Sequence, residues 1–233
     1  MESPLIRILW QYSSAGQARS SLVLLLLGSL ILTPSSVTAE PNFTYVDLQP
    51  KANHRLVDDL DHSEGSSLVN LPQGEQKFGG KRWLIGEKLI HLRGAHLTEL
   101  PDKVDGIKVD AAFDRMFLLH STEYGEVEPL VADGTEIGYY TVHYADDSTI
   151  KIPINYGEDL RDWWDWPPRT SLKRANIAWT GTSPLSEQNQ RKIRLYSVAW
   201  DNPHPEKQVT TLDFHSNSLE CDPFLVAVTL QKG

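Results

Sequence analysis

Hydrophobic and polar positions along this chain follow a strand-like rhythm. From Leu68 onward short apolar runs alternate with turn residues: Leu68–Leu71 before Pro72-Gln73-Gly74, Trp83–Ile85 before Gly86, then Leu89–Leu92, and Ile107–Val109 after Gly106. Ile137–Ala145 and Thr149–Tyr156 flank Asp146-Asp147-Ser148, and the second arm places Ile150, Ile152, Ile154 and Tyr156 on one face. That spacing predicts a β-hairpin with a single apolar face. Phe113–His120, Ile193–Trp200 and Phe224–Leu230 are apolar almost throughout, as befits strands covered on both faces. Phe43–Leu48, Ile177–Trp179 and Val209–His215 add further short strands. No helix-period segment of convincing length and no internal repeat stand out. Many short strands around one core predict an all-β chain, an antiparallel β-sandwich or barrel.

The hairpin empties into Gly157 and an acidic, tryptophan-rich loop. Here Glu158, Asp159, Arg161, Asp162 and Asp165 intermix with Trp163, Trp164 and Trp166, and Pro167-Pro168 follow. Rigid aromatics beside carboxylates are the composition of a sugar site, where rings stack and carboxylates take up hydroxyls. Glycine at the start and prolines at the end would clamp such a loop. The candidate ligand residues are therefore Tyr156, Asp159, Arg161, Asp162, Trp163, Trp164 and Trp166. The alternative, that most of these tryptophans plug the end of the sheets and only a subset faces a ligand, is favoured by the high average burial of tryptophan. Trp179 and Trp200 sit in strand-like runs and read as core, and His120 and His143 as structural histidines.

The first 39 residues change the picture of compartment. Arg7 and Arg19 precede the apolar run Leu22–Leu32, and Val37-Thr38-Ala39 follows Pro34. This is the layout of a secretory signal cleaved after Ala39. The run is about half the roughly 20 residues of a spanning helix. Residues 40–233 then form one secreted or periplasmic β-domain, with no stable membrane insertion after cleavage. Loss of Glu2, Arg7 and Arg19 takes the net charge from −9 to −10. An acidic chain lacks the basic face that nucleic acid requires. Cys221 is the only cysteine, so stability rests on a packed core rather than a disulfide.

Catalytic motifs are missing: there is no Gly-x-Ser-x-Gly, phosphate loop or dinucleotide fingerprint, and no enzyme activity is expected. No His-x-x-x-His pair marks a zinc site. Asp58, Asp59 and Asp61 lie close together without EF-hand spacing.

Several motifs recur in an order that carries a resemblance: Phe117–His120, Tyr140–Asp146, Ile152–Gly157, Asp162–Trp164, Ala178–Gly181, Trp200–Pro205 and Pro223–Thr229. They resemble a secreted β-sandwich domain of planctomycete-type bacteria, itself similar to galactose-binding-like jelly rolls and carbohydrate-binding modules. The hairpin departs from the pattern at Ala145–Ser148, where an Asp-Gly turn is expected. The resemblance implies a jelly-roll fold and non-catalytic binding of a polysaccharide or other glycan. It also implies a structural calcium in an early loop, for which Asp58, Asp59 and Asp61 are the nearest carboxylates. The competing reading is a cell-envelope interaction or structural protein with no sugar ligand.

Overall fold

The computed structural model of the chain describes residues 42–166 and 171–233. The segment read as a secretory signal and Pro167-Pro168, read as a clamp, lie outside the described residues. Thirteen strands and one short helix follow in order: β1 (Asn42–Val46), β2 (His54–Arg55), β3 (Gly74–Phe78), β4 (Lys81–Ile85), β5 (Lys88–His91), β6 (Lys103–Ala111), β7 (Arg115–Glu123), β8 (Glu136–Tyr144), β9 (Thr149–Asn155), β10 (Asn176–Gly181), α1 (Pro184–Gln188), β11 (Ile193–Asp201), β12 (Val209–Ser216) and β13 (Asp222–Lys232). All named strand pairs are antiparallel.

A seven-stranded sheet runs in the order β10-β11-β7-β13-β5-β2, with β1 also on β13, and a four-stranded sheet in the order β6-β12-β8-β9. The two share one core. Met116, Leu118, Tyr196, Val198, Leu225, Val228 and Leu230 of the larger sheet meet Ile107, Tyr140, Val142, Ile154, Leu212 and Phe214 of the smaller. Alternate residues of the larger sheet, among them Phe117, Leu119, Leu195, Phe224 and Val226, point the other way. They pack under the β3–β4 hairpin and the 56–71 loop, with Trp83, Ile85, Leu56, Leu68 and Leu71. Burial on both faces is the physical reason that β7, β11 and β13 read as continuous apolar runs.

One sequence reading needs correction. Leu68–Leu71 is not a strand: both leucines are buried in a turn closed by the Leu71 N–H on the Leu68 carbonyl. Hydrophobicity fixed their burial, not their backbone shape. The single helix among the described residues is α1, one turn and a half long. Its signal is a cap rather than a period: Ser183 and Ser186 satisfy each other's backbone N–H, with Pro184 in the first turn.

The hairpin has the expected arms, pairing Tyr140 with Ile152 and Val142 with Ile150. Its turn substitutes aspartate chemistry for Asp-Gly. Asp147 takes φ +65°, a conformation aspartate tolerates better than most residues. The Asp146 carboxylate accepts from the Ser148 N–H at 3.2 Å and the Ser148 hydroxyl at 2.5 Å, and pairs with Lys207 at 2.6 Å.

Candidate functional site

The 156–166 loop leaves β9 at Gly157, whose φ of +74° suits glycine. A Cβ there would stand 2.5 Å from the Asp133 carboxylate. Gly157→Ala is therefore expected to cost roughly 2 kcal/mol, from the backbone conformation and the displaced carboxylate together. Urea denaturation of the variant checks it.

The loop then crosses the end of the larger sheet. Asp162 bridges to Thr122 and Trp164 to Ile193. The Trp163 N–H donates to the Thr122 carbonyl at 2.8 Å, and the Trp163 carbonyl accepts from the Arg194 N–H at 2.6 Å. Its acidic residues serve internal partners. Arg161 donates to both oxygens of Asp133 (3.0 and 2.7 Å) and to the Ser171 carbonyl (2.9 Å), with Glu126 at 3.5 Å. The Tyr156 hydroxyl donates to Glu126 at 2.6 Å. Asp162 accepts from the backbone N–H of Trp164 (2.8 Å) and of Glu126 (3.3 Å). Burial pushes its carboxyl up to about 8 despite those donors.

Five of the seven sequence-predicted ligand residues are thus interior. Tyr156, Asp159, Arg161, Asp162 and Trp163 are at most 3% exposed, and Trp163 packs against Phe224. Trp164 is half-buried and Trp166 is exposed. Trp164 stacks on Trp166 at 5.8 Å and Arg191 lies 5.1 Å over the Trp166 ring.

The loop does border an opening. A cavity of about 230 Å³ lies between the sheets where β9 and β11 diverge, lined by Leu118, His120, Tyr140, Ile152, Ile154, Val198 and Trp200, with Lys151, Asp159 and Arg174 also on its wall. The strand periods explain the apolar wall: Ile152 and Ile154 share one face of β9, and Val198 and Trp200 one face of β11. Asp159 and Arg174 form a bidentate pair: Arg174 Nε donates to Oδ1 at 2.7 Å and a terminal nitrogen to Oδ2 at 2.5 Å. Arg174 also pairs with Glu158 at 3.0 Å, and Lys151 with Glu136 at 2.7 Å.

His120 is a further buried polar group of this cavity, beside Asp159. Its Nε2 lies 3.1 Å from the Asp159 carbonyl and its Nδ1 3.1 Å from the Tyr140 hydroxyl. A carbonyl only accepts, so Nε2 carries the hydrogen and Nδ1 accepts from Tyr140. Burial lowers the imidazole to about 4, with Asp159 opposing. A neutral ring with both nitrogens occupied orients the Asp159 backbone and is not poised as a base.

A second buried polar group lies elsewhere on the larger sheet. Register places Asp222 opposite Glu123, and His91 opposite Phe224 two residues on, so all three polar side chains share a face. His91 Nε2 stands 3.3 Å from Glu123, and both residues are sealed from solvent. Burial pushes Glu123 well above the carboxylate range and His91 down to about 4. The pair is neutral.

The calcium expectation meets a different arrangement. Asp58 pairs with Arg55 at 3.8 Å, Asp59 accepts from the Gly65 N–H at 2.9 Å, and Asp61 from the Ser63 N–H at 2.7 Å. Among the described residues these three carboxylates do not gather as one ligand set. Each shapes its own stretch of loop. Cys221 is buried, and burial raises its thiol.

Sequence reasoning missed Lys151, Arg174, Val198 and Trp200 as one group, because they come together only across two sheets. No family model, no curated protein and no solved structure matches this chain.

Proposed function

We propose that the chain is a secreted, non-catalytic binding module of jelly-roll type that takes one sugar residue of a glycan in the cleft between β9 and β11. The observation that carries this reading is the pairing, in one cleft, of an indole-bearing apolar wall with a bidentate Asp159–Arg174 pair. The C–H face of a pyranose suits Trp200, Ile152 and Val198. Its hydroxyls suit the fixed donors and acceptors of Asp159 and Arg174, which are already oriented and lose little freedom on binding. The cavity, at about 230 Å³, is smaller than the roughly 300–1,000 Å³ typical of drug-sized pockets. A single ring fits that size better than an extended chain.

The candidate platform thereby moves from Trp163 and Trp164 to Trp200. Titration of the mature protein with a panel of soluble polysaccharides, followed by tryptophan fluorescence, tests it. One glycan should change the emission, and Trp200→Phe should abolish most of that change. Arg174→Ala should weaken binding by about 1–3 kcal/mol, the scale of lost hydrogen bonds to a charged group. No response to any glycan, with Trp200 indifferent, would favour the envelope-interaction reading.

A further inference from the structure

The outer face of the four-stranded sheet, away from the cleft, gathers metal-ligating side chains from three adjacent strands. Asp105 lies on β6, His143 on β8, and Asp213 and His215 on β12. One carboxylate oxygen each from Asp105 and Asp213 and a ring nitrogen of His215 lie within 4.8 Å of one another. His215 Nε2 stands 3.6 Å from Asp105 Oδ1 and 4.0 Å from Asp213 Oδ2. Those gaps are too long for hydrogen bonds. They exceed by about 0.3 and 0.7 Å the roughly 3.3 Å edge of a tetrahedron with metal–ligand bonds of about 2.0–2.1 Å, so small side-chain rotations would bring the ligands onto one ion.

The backbone builds this convergence. The β6–β12 register shifts between Leu212 and Phe214, which face Ile107 and Val104 respectively. Two residues, Asp105 and Gly106, therefore stand opposite Asp213 alone. Such a bulge re-aims a side chain. Gly106 supplies the φ of +69° needed there, and its N–H donates to Asp213 Oδ1 at 2.7 Å. That bond fixes the carboxylate with Oδ2 toward the imidazoles. Tyr139 stacks on His215 at 4.6 Å, holding the ring. Lys103 occupies only Oδ2 of Asp105, at 2.6 Å.

We propose that Asp105, Asp213 and His215 bind a late first-row divalent ion, Zn²⁺ being the best match, through one nitrogen and two oxygens. Imidazole favours the later metals over Ca²⁺ and Mg²⁺. Three protein ligands leave a fourth position open to water or to a group on a partner. His143 Nε2 is 2.6 Å from Asp213 Oδ2, too near for both atoms to ligate one tetrahedral ion. It orients Asp213 by donating a hydrogen bond, a supporting role common around metal ligands.

Calorimetric titration of the tag-free mature chain with Zn²⁺ tests the site. One ion should bind per chain. His215→Ala and Asp105→Asn should each weaken binding more than about tenfold, and His143→Gln by about 10–100-fold or less. Co²⁺ in place of Zn²⁺ should give a visible d–d absorption that His215→Ala removes. All three side chains are on an outer face, and unchanged metal-free melting curves will show that the variants fold. Failure of the wild type to bind Zn²⁺, or an unchanged affinity in His215→Ala, would overturn the proposal.

Discussion

Trp163→Ala is expected to cost about 3–5 kcal/mol of stability, the range for truncating a buried aromatic. The indole is 1% exposed. It meets Phe224 edge-on at 6.3 Å and Trp164 at 6.1 Å, and its backbone ties the loop to β7 and β11. Removing it opens a void under the outer face of the larger sheet, where Leu119 and Leu195 also pack. Trp166→Ala, by contrast, changes a side chain at the surface and should cost less than about 1 kcal/mol. Chemical denaturation of both variants measures the difference. Near-wild-type stability for Trp163→Ala would mean that the loop does not seal the sheet.

Stability should fall as pH rises from 6.5 to 8. Glu123 and Asp162 have folded-state values above their unfolded ones, Asp162 at about 8. The folded state then binds more protons than the unfolded one, and stability is lost as pH climbs through that window. His91 and His120 act oppositely: both are lowered to about 4, so stability rises between about 4 and 6.5 as their unfolded forms lose protons. From about 4.5 to 6.5 the two pairs offset each other. Above 6.5 only the carboxyls remain, and Asp162 contributes a decline of up to about 1.4 kcal/mol per pH unit until its folded value near 8 is reached. From Asp162 alone a loss of up to roughly 2 kcal/mol between pH 6.5 and 8 is expected from denaturation midpoints, and Glu123 acts in the same direction. Glu123→Gln should flatten the slope. A level or rising profile would contradict the neutral state assigned to these carboxyls.

What the sequence could carry was local. The β8–β9 hairpin and the buried strands β7, β11 and β13 are legible because each writes its burial into its own residues. The 156–166 loop was harder. Acidic residues and tryptophans fit a ligand surface as well as a plug, and the choice is made by Asp133 and Glu126, roughly thirty positions away, which draw Arg161 and Tyr156 inward. No local pattern announces partners at that separation. The cleft was less legible still, because Trp200 and Arg174 gain meaning only beside Ile152 and Asp159. The outer-face cluster escaped for another reason. A search for His-x-x-x-His assumes a helix, whereas Asp213-x-His215 carries the two-residue period that puts ligands on one side of a strand.

The cleft is tested most directly by calorimetry on Val198→Phe with whichever oligosaccharide the wild type binds. Val198 is on the inner face of β11 and lines the cavity, so the added ring fills the space proposed for the sugar while Trp163, Trp164 and Trp166 stay untouched. Loss of binding in Val198→Phe, with Trp166→Ala binding like the wild type, is the expected result. Undiminished binding in Val198→Phe, or loss in Trp166→Ala instead, would contradict the cleft as the ligand site.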